Sequence, residues 1–398
     1  MSNKLYEEND IQNIANAIRN KNGTENTYKV SQMSTAINSI EVIEQATAEG
    51  ESLSLTNTKA MPYSDYVVEG KSEQEGEPSP SNPSEIHSVA DEGTVTIKQR
   101  GKNLFDKNNH TIISECIAFD ISNLIIGQQY TFSCNLPITW IKISNDPNFY
   151  NSVALRNDNG FTTFTFYMNR ESHIPEKATQ YLFIGVSKGL FIKNINEVTN
   201  YNFQIEKGSQ ATNYEPYQAN DYTIQTEPLR SLPNGVKDTI EADGIHRRIG
   251  RRLLQASDIY DIVTTGTIPY VRIAKSGVSG IGMTTEFAKN NTARMKSYKI
   301  TGDVNYSNTN NGEFNTYYDR YYLAIFDNRF TDLATAKQLL EGEEIIYELA
   351  TEIIEPLTQN QATTMLDIIK TGSYEGTTNI YTDEDVKPTI GVGYYKKS

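Results

Sequence analysis

The stretch Thr-Phe-Thr-Phe-Tyr-Met at residues 163–168 is the clearest indicator of the fold class. Its apolar residues Phe164, Phe166 and Met168 stand at every second position, with threonine or tyrosine between them. A period of two places alternate side chains on opposite faces of a β-strand. The stretch therefore predicts a half-buried strand of an antiparallel sheet.

Neighbouring sequence repeats this pattern. Tyr201, Phe203 and Ile205 alternate with polar residues, and Asn-Asp-Asn-Gly at 157–160 predicts a hairpin turn. Many short strands separated by turn signals are typical of β-sandwiches. We therefore predict a mainly β, elongated protein with two jelly-roll-type β-sandwich domains and a few short helices.

Helical periodicity is clearest near the N-terminus. Asp10 is the predicted cap of a first helix, and Lys-Asn-Gly-Thr at 21–24 separates it from a second. The apolar stripes are Ile11, Ile14, Ala15 and Ile18 in the first helix, and Met33, Ala36, Ile37 and Ile40 in the second. Such a hairpin is too small to bury a core alone. It must dock within its own chain or between chains, and its size favours docking between chains.

Two further helices have clear boundary signals. Asp332 is a plausible cap for a helix with a Leu333, Ala336, Leu339 and Leu340 stripe that ends at Gly342. Thr358 and Gln361 have capping-box spacing ahead of a fourth apolar stripe, Met365, Ile368 and Ile369. Three prolines between residues 78 and 83 are incompatible with a helix or a central strand. We divide the chain into a helical attachment module (1–45), a Pro-rich connector with short strands (46–104), a first sandwich (105–219), a linker (220–252) and a second sandwich (253–398).

Composition restricts the classes of partner. The 398 residues include 50 acidic and 36 basic side chains, which gives a net charge of −14 and excludes general binding of nucleic acid. Apolar residues make up 37%, below the roughly 45–50% of ordinary globular domains, so the surface is large. Neither a signal peptide nor a membrane-spanning stretch is visible, and the two cysteines and four histidines predict no disulfide, metal or cofactor.

Several phrases of the sequence occur together in one family. They are Ile14-Ala15-Asn16-Ala17-Ile18-Arg19, Lys21-Asn22-Gly23-Thr24, Pro78-Ser79-Pro80-Ser81-Asn82-Pro83, Gly101-Lys102-Asn103-Leu104-Phe105, Gln204-Ile205-Glu206-Lys207-Gly208-Ser209, Tyr214-Glu215-Pro216-Tyr217, Leu232-Pro233-Asn234-Gly235, Ile346-Tyr347-Glu348-Leu349-Ala350-Thr351 and Gly376-Thr377-Thr378-Asn379-Ile380-Tyr381. In this order they resemble the tail and baseplate proteins, including tail-fibre-like ones, of phages and prophages of Gram-positive bacteria.

The resemblance implies a structural role. Such proteins are virion components assembled in the host cytoplasm, with carbohydrate-module-like sandwiches and usually threefold symmetry. It implies a homotrimer that attaches to other tail proteins through residues 1–45, with host cell-wall polysaccharide or teichoic acid as candidate ligand. No catalytic signature transfers to these positions, so we expect no enzyme. The alternative is a tail-tip polysaccharide depolymerase, a glycoside hydrolase that needs two carboxyl groups at a defined separation.

The candidate glycan-binding residues surround the single tryptophan. Trp140, Asn148, Phe149 and Tyr150 combine aromatic rings with an amide, and exposed rings form stacking platforms for sugar rings. The alternative for Trp140 is the sandwich core, where large aromatic residues are usually found.

Two polar clusters have competing interpretations. The turns 145–148 and 157–159 offer oxygen ligands for calcium, but turn chemistry alone explains their composition. His246, Arg247, Arg248, Arg251 and Arg252 form the one basic cluster. It could bind phosphate of a teichoic acid, or it could pair with acidic residues such as Asp238, Glu241 and Asp243 or with a neighbouring subunit.

Overall fold

A computed structural model describes residues 8–22, 27–38, 42–112, 117–125, 127–144, 153–168, 181–187, 190–192, 196, 201–273, 293–300, 310–317 and 322–398. Of the residues that the structure describes, 48% lie in strands and 15% in helices, so the fold is mainly β. Between the described strands the pairing is antiparallel, except for one short parallel pair near residues 299 and 313. The predicted fold class is confirmed at this level.

The helices are α1 (Glu8–Asn22), α2 (Val30–Asn38), α3 (Leu333–Leu340) and α4 (Gln359–Thr371), with a 3₁₀ turn at Ala256–Asp258. The strands are β1 (Ile43–Gly50), β2 (Leu53–Thr58), β3 (Asp65–Glu69), β4 (Ser72–Gln74), β5 (Ile86–Ser88), β6 (Thr94–Arg100), β7 (His110–Ile112), β8 (Ile117–Asp120), β9 (Gln129–Ser144), β10 (Val153–Tyr167), β11 (Tyr181–Ser187), β12 (Leu190–Phe191), β13 (Gln204–Lys207), β14 (Ala219–Gln225), β15 (Thr239–Glu241), β16 (Gly244–Leu253), β17 (Ile259–Val263), β18 (Tyr270–Ile273), β19 (Arg294–Met295), β20 (Lys299–Ile300), β21 (Glu313–Tyr317), β22 (Tyr322–Phe326), β23 (Glu344–Glu355), β24 (Gly376–Tyr381) and β25 (Thr389–Lys397).

The largest sheet joins distant parts of the sequence. Its strands run in the order β14, β6, β24, β2, β25, β3, β15, β16, β23 and β19, and β1 pairs with β25. Helix α4 packs on this sheet through Met365 and Ile368, which share a core with Leu55, Val68 and Ile390. The core of this sheet therefore needs side chains from both residues 53–97 and residues 365–392.

This pairing draws strands from several of the predicted segments. The predicted connector 46–104 contributes β2, β3 and β6 to the large sheet, and the predicted linker 220–252 contributes β15 and β16. The predicted second sandwich 253–398 is shared between the large sheet and a five-stranded sheet. Proline-rich turns mark local breaks in strands, whereas the pairing of distant strands has no local signal.

A second sheet lies within the predicted first sandwich. It runs β10, β9, β11, β8 and β7, with β12 on β11 and β13 on β9. Phe164, Phe166 and Met168 are buried in its core, as the period of two predicts. The segment 157–160 is a correction, because β10 continues through it with a shifted register. Gly160 has a φ of +84°, a conformation that glycine adopts readily, and it lies at the register shift between Asn157 and Phe161.

The third sheet runs β17, β18, β22, β21 and β20, and helix α3 packs on it. Asp332 accepts a hydrogen bond from the amide of Thr335 at 2.9 Å, as predicted for a helix cap. At α4, the amide of Thr358 donates to Gln361 at 2.7 Å, and the predicted capping box is complete.

The N-terminal hairpin has a small core of its own. Ala15, Ile18, Met33 and Ala36 are buried together, and all members of this cluster lie between residues 11 and 36. Helix α1 begins at Glu8, so Asp10 lies in its first turn rather than at the predicted cap. An acidic residue there still interacts favourably with the helix dipole. Ile40 lies outside the described residues.

Candidate functional site

The predicted glycan platform is only partly described. Trp140 lies on β9 and is 8% exposed, packed in a cluster with Ala118 and Phe183. A Cβ at Gly185 on the neighbouring strand would clash with its indole ring, so the ring lies flat against that backbone. Asn148, Phe149 and Tyr150 lie outside the described residues. The side chain that was the predicted centre of the platform is therefore buried, as in the alternative core interpretation.

An aromatic pocket lies elsewhere on the predicted first sandwich. Its walls come from residues 103–108, 202–203 and 214–217, and its volume is about 130 Å³. Phe105 and Phe203 are buried and meet edge to face, with ring centroids 5.5 Å apart. The pocket therefore has aromatic residues beneath it and polar residues at its rim.

One buried amide connects the walls of this pocket. The side chain of Asn103 donates to the carbonyl oxygens of Phe203 (2.9 Å) and Glu215 (3.0 Å). Its oxygen accepts from the amides of Phe105 (2.9 Å) and Ile205 (3.1 Å). Four hydrogen bonds fully satisfy a buried Asn side chain. Asn103 thereby fixes three separate segments relative to one another.

A second polar group holds the loop from 208 to 217. Glu206 is buried and accepts from the amide of Thr212 at 2.8 Å, from the Thr212 hydroxyl at 2.7 Å and from the Gln204 amide group at 2.8 Å. Gln204 also accepts from the amide of Glu215 at 2.8 Å. The alternating pattern predicts that Gln204 and Glu206 face solvent. Their burial is explained by these hydrogen bonds.

The rim of the pocket is exposed and polar. Tyr214 is 46% exposed, and Asn108 and Asn202 are exposed beside it. Asp106 accepts from the amide of Asn108 at 2.9 Å. The pKa of Tyr217 is raised by burial and by the nearby charge of Asp106, so its hydroxyl stays protonated as a hydrogen-bond donor.

A second cavity, of about 420 Å³, is lined mainly by acidic side chains. Several of these already have partners. Glu73 pairs with Lys71 at 2.7 Å, and Asp91 accepts from the amide of Ser88 at 2.8 Å. Glu384 accepts from the amide of Thr96 at 3.2 Å. Among the described lining residues, no pair of carboxyl groups is distinguished by burial from the others.

The basic cluster is paired with acidic residues. Arg247 lies 3.1 Å from Glu355, Arg248 lies 2.5 Å from Glu352, and Arg251 lies 2.6 Å from Glu344. Arg252 pairs with buried Asp258, and Arg247 also approaches Asp238 at 3.8 Å. These contacts support the pairing alternative, because the guanidinium groups already have carboxylate partners.

His246 is the buried centre of this ionic network. Its Nδ1 lies 3.0 Å from Glu352, and its Nε2 lies 3.1 Å from Asp243 and 3.9 Å from Glu241. Among the described residues, Glu241, Asp243 and His246 are close enough to hold a metal ion. A protonated imidazolium donates at both ring nitrogens, and here each nitrogen faces a carboxylate that can accept, so the arrangement is satisfied without a metal ion. We therefore assign these residues to an ionic network.

The charge of His246 predicts a dependence of stability on pH. Burial lowers its pKa, but the hydrogen bonds that its ring donates to Asp243 and Glu352 and the charge of Glu241 outweigh this, so the pKa is raised. A raised folded-state pKa contributes stability that is fully present below the unfolded value, about 6.5, and is lost as pH rises through the folded value. We expect urea unfolding to show this loss in the wild type.

The matched variants are His246→Gln and His87→Gln, the latter on an exposed histidine. His246→Gln should remove this part of the pH dependence above about pH 6.5, whereas His87→Gln should retain it. An unchanged pH profile in His246→Gln would contradict the assignment.

No family model, curated protein or solved structure matches the chain. In the part of the chain that the structure describes, no helix is both long enough and apolar enough to cross a membrane.

Proposed function

We propose that this protein is a structural component of a phage or prophage tail or baseplate, attached through its N-terminal helices. The observation that supports this best is the helical hairpin. Its four buried residues contact one another, while Ile14 and Ile37 are each 48% exposed and Val30 is 64% exposed. A helix pair that buries one set of apolar side chains and exposes another can bind a further protein surface through the exposed set.

The size of the hairpin explains why it would associate. A core of four small or medium side chains supplies little of the free energy that orders two helices. Burying Ile14, Ile37 and Val30 against other chains would add apolar area that the hairpin cannot bury alone. We propose that this happens in a homotrimer and against neighbouring tail proteins, as the resemblance implies.

The β region would be the outward part of the particle. We propose that it is elongated, that it includes two sandwiches of jelly-roll type and that it meets host cell-wall polysaccharide or teichoic acid. The protein would be part of the virion after assembly in the host cytoplasm. The pairing of distant strands supports a rigid spacer, because the large sheet ties residues 43–100 to residues 376–397.

The alternative function is a polysaccharide depolymerase. The acidic cavity favours it, because glycoside hydrolysis uses two carboxyl groups. Against it, Glu73, Asp91 and Glu384 are held by a lysine or by backbone amides. Release of reducing sugar from purified host cell wall by the wild type would support the alternative.

The attachment proposal is tested by truncation. Strand β1 begins at Ile43, so removal of residues 1–41 leaves every strand intact. We expect the truncated chain to keep the melting temperature of the β region, because the hairpin core has no member in the sheets. We expect light scattering to give a three-chain mass for the full chain and a smaller assembly for the truncated chain. A trimeric truncated chain would contradict attachment between copies through the hairpin.

A further inference from the structure

We propose that the aromatic pocket of residues 103–108, 202–203 and 214–217 binds one sugar unit of a host cell-surface glycan, with Tyr214 as the stacking ring. This inference rests on the proposed function, in which the β region meets the host surface. It assigns glycan binding to residues other than the predicted platform around Trp140.

The volume of the pocket indicates the size of its ligand. About 130 Å³ is well below the roughly 300–1,000 Å³ of sites that enclose drug-sized molecules. A pocket of this size fits one small unit and leaves the rest of a chain in solvent. Side groups and terminal units of a wall glycan present such a unit.

The lining chemistry matches a sugar rather than an apolar ligand. The faces of a sugar ring are apolar and stack on aromatic rings, while its hydroxyls need hydrogen-bond partners around the edge. Tyr214 offers an exposed ring, and Asp106, Asn108 and Asn202 place a carboxylate and two amides at the rim. Donors and acceptors are both present, as hydroxyl recognition requires.

The pocket walls are held in place before any ligand arrives. Asn103 fixes the segment after β6 to residues 203 and 215, and Glu206 fixes the loop at Thr212. Lys102 adds a contact to Glu215 at 3.0 Å. Because these groups are already ordered, binding would lose little conformational entropy.

The other candidate surfaces fit a glycan less well. Trp140 is buried against β11, so its ring is covered on one side by Gly185. The cavity around Glu73 and Glu384 is lined mainly by carboxylates, with no Phe, Tyr or Trp among its described lining residues. Carboxylates alone would repel an anionic wall polymer.

The experiment uses the full chain displayed on beads and purified host cell walls as the probe. Multivalent display raises weak single-site binding by about 10²–10⁴ when several sites engage. We compare wild type with Tyr214→Ala and Asn108→Ala. The matched control is Tyr167→Ala, which removes another exposed tyrosine of the same predicted sandwich, 56% exposed and outside the pocket.

We expect wild-type beads to be retained and Tyr214→Ala to lose about tenfold or more in apparent affinity, with a smaller loss for Asn108→Ala. Tyr167→Ala should bind as wild type, and all variants should keep the wild-type melting temperature. Walls stripped of their phosphodiester-linked polymers with hydrofluoric acid should retain none of the beads.

Three results would overturn the inference: wild-type beads that fail to bind, equal retention of wild type and Tyr214→Ala, or an equal loss in Tyr167→Ala. Incorporation of Tyr214→Ala into tail particles separates the two proposals. A variant that incorporates and still binds walls overturns the pocket while the tail assignment stands. A wild type absent from particles overturns the tail assignment itself.

Discussion

Gly372→Ala is expected to reduce the free energy of unfolding by about 4 kcal/mol or more, through backbone strain and overpacking together. Gly372 ends helix α4 at φ +57° and ψ −152°, a region that is essentially restricted to glycine. An added Cβ would collide with the carbonyl of Met61 and lie 2.6 Å from Cα of Pro62. Backbone atoms cannot rotate away as a side chain would, so the helix end must move.

The control for this prediction is Gly342→Ala. Gly342 also has a positive φ, +82°, but a Cβ there would meet nothing within 4 Å. It should therefore lose only about 1–2 kcal/mol, the cost of an L-residue in a left-handed backbone conformation. Urea unfolding of both variants gives the comparison. Equal losses would contradict the close packing of α4 against the loop after β2.

Trp140→Ala is expected to lower the free energy of unfolding by about 3–5 kcal/mol, as for other large buried aromatic residues. The ring packs against Gly185 and Phe183, and the ammonium of Lys142 lies 5.6 Å from its centroid. Removing the indole would leave a cavity beside β11 that the paired strands cannot fill. Urea unfolding measures the loss.

Tyr167→Ala is the control on the same sheet. Tyr167 is exposed, and surface substitutions usually change stability by about 0.5 kcal/mol or less. A Trp140→Ala protein with unchanged stability and reduced retention on host cell wall would contradict the core assignment. That result would support the platform predicted from the sequence.

Local patterns in the sequence predict local structure well. Phe164, Phe166 and Met168 are buried as their spacing requires, and Thr358 with Gln361 begins α4 as a capping box. Both features depend on residues within one turn of helix or one strand. Periodicity and capping are interactions between near neighbours, so the sequence displays them directly.

Long-range structure was not predictable in the same way. The pairing of β2 with β24 joins residues more than 300 positions apart, and no local signal in either strand indicates its partner. Gln204 and Glu206 illustrate the same limit on a smaller scale. Their alternation with apolar residues is typical of a solvent face, yet the loop that they bind covers them. Burial of a polar side chain depends on partners elsewhere in the chain.

The aromatic pocket is not among the site residues predicted from the sequence. The stretch around Asn103 and the stretch from Tyr214 to Tyr217 are both part of the family resemblance, and in the structure they line one pocket. The available signal was the pair of tyrosines, Tyr214 and Tyr217, on either side of Pro216. The buried amide of Asn103, which joins the two motifs, has no sequence signature of its own.

Incorporation into tail particles tests the central claim most directly. Particles are purified from a strain whose own copy of the gene is replaced by the full chain, by the chain without residues 1–41, or by Tyr214→Ala, and each protein is quantified by immunoblot. We expect the full chain and Tyr214→Ala to be present at equal levels and the folded truncated chain to be absent. Absence of the full chain from particles, or equal incorporation of the truncated chain, would contradict the account.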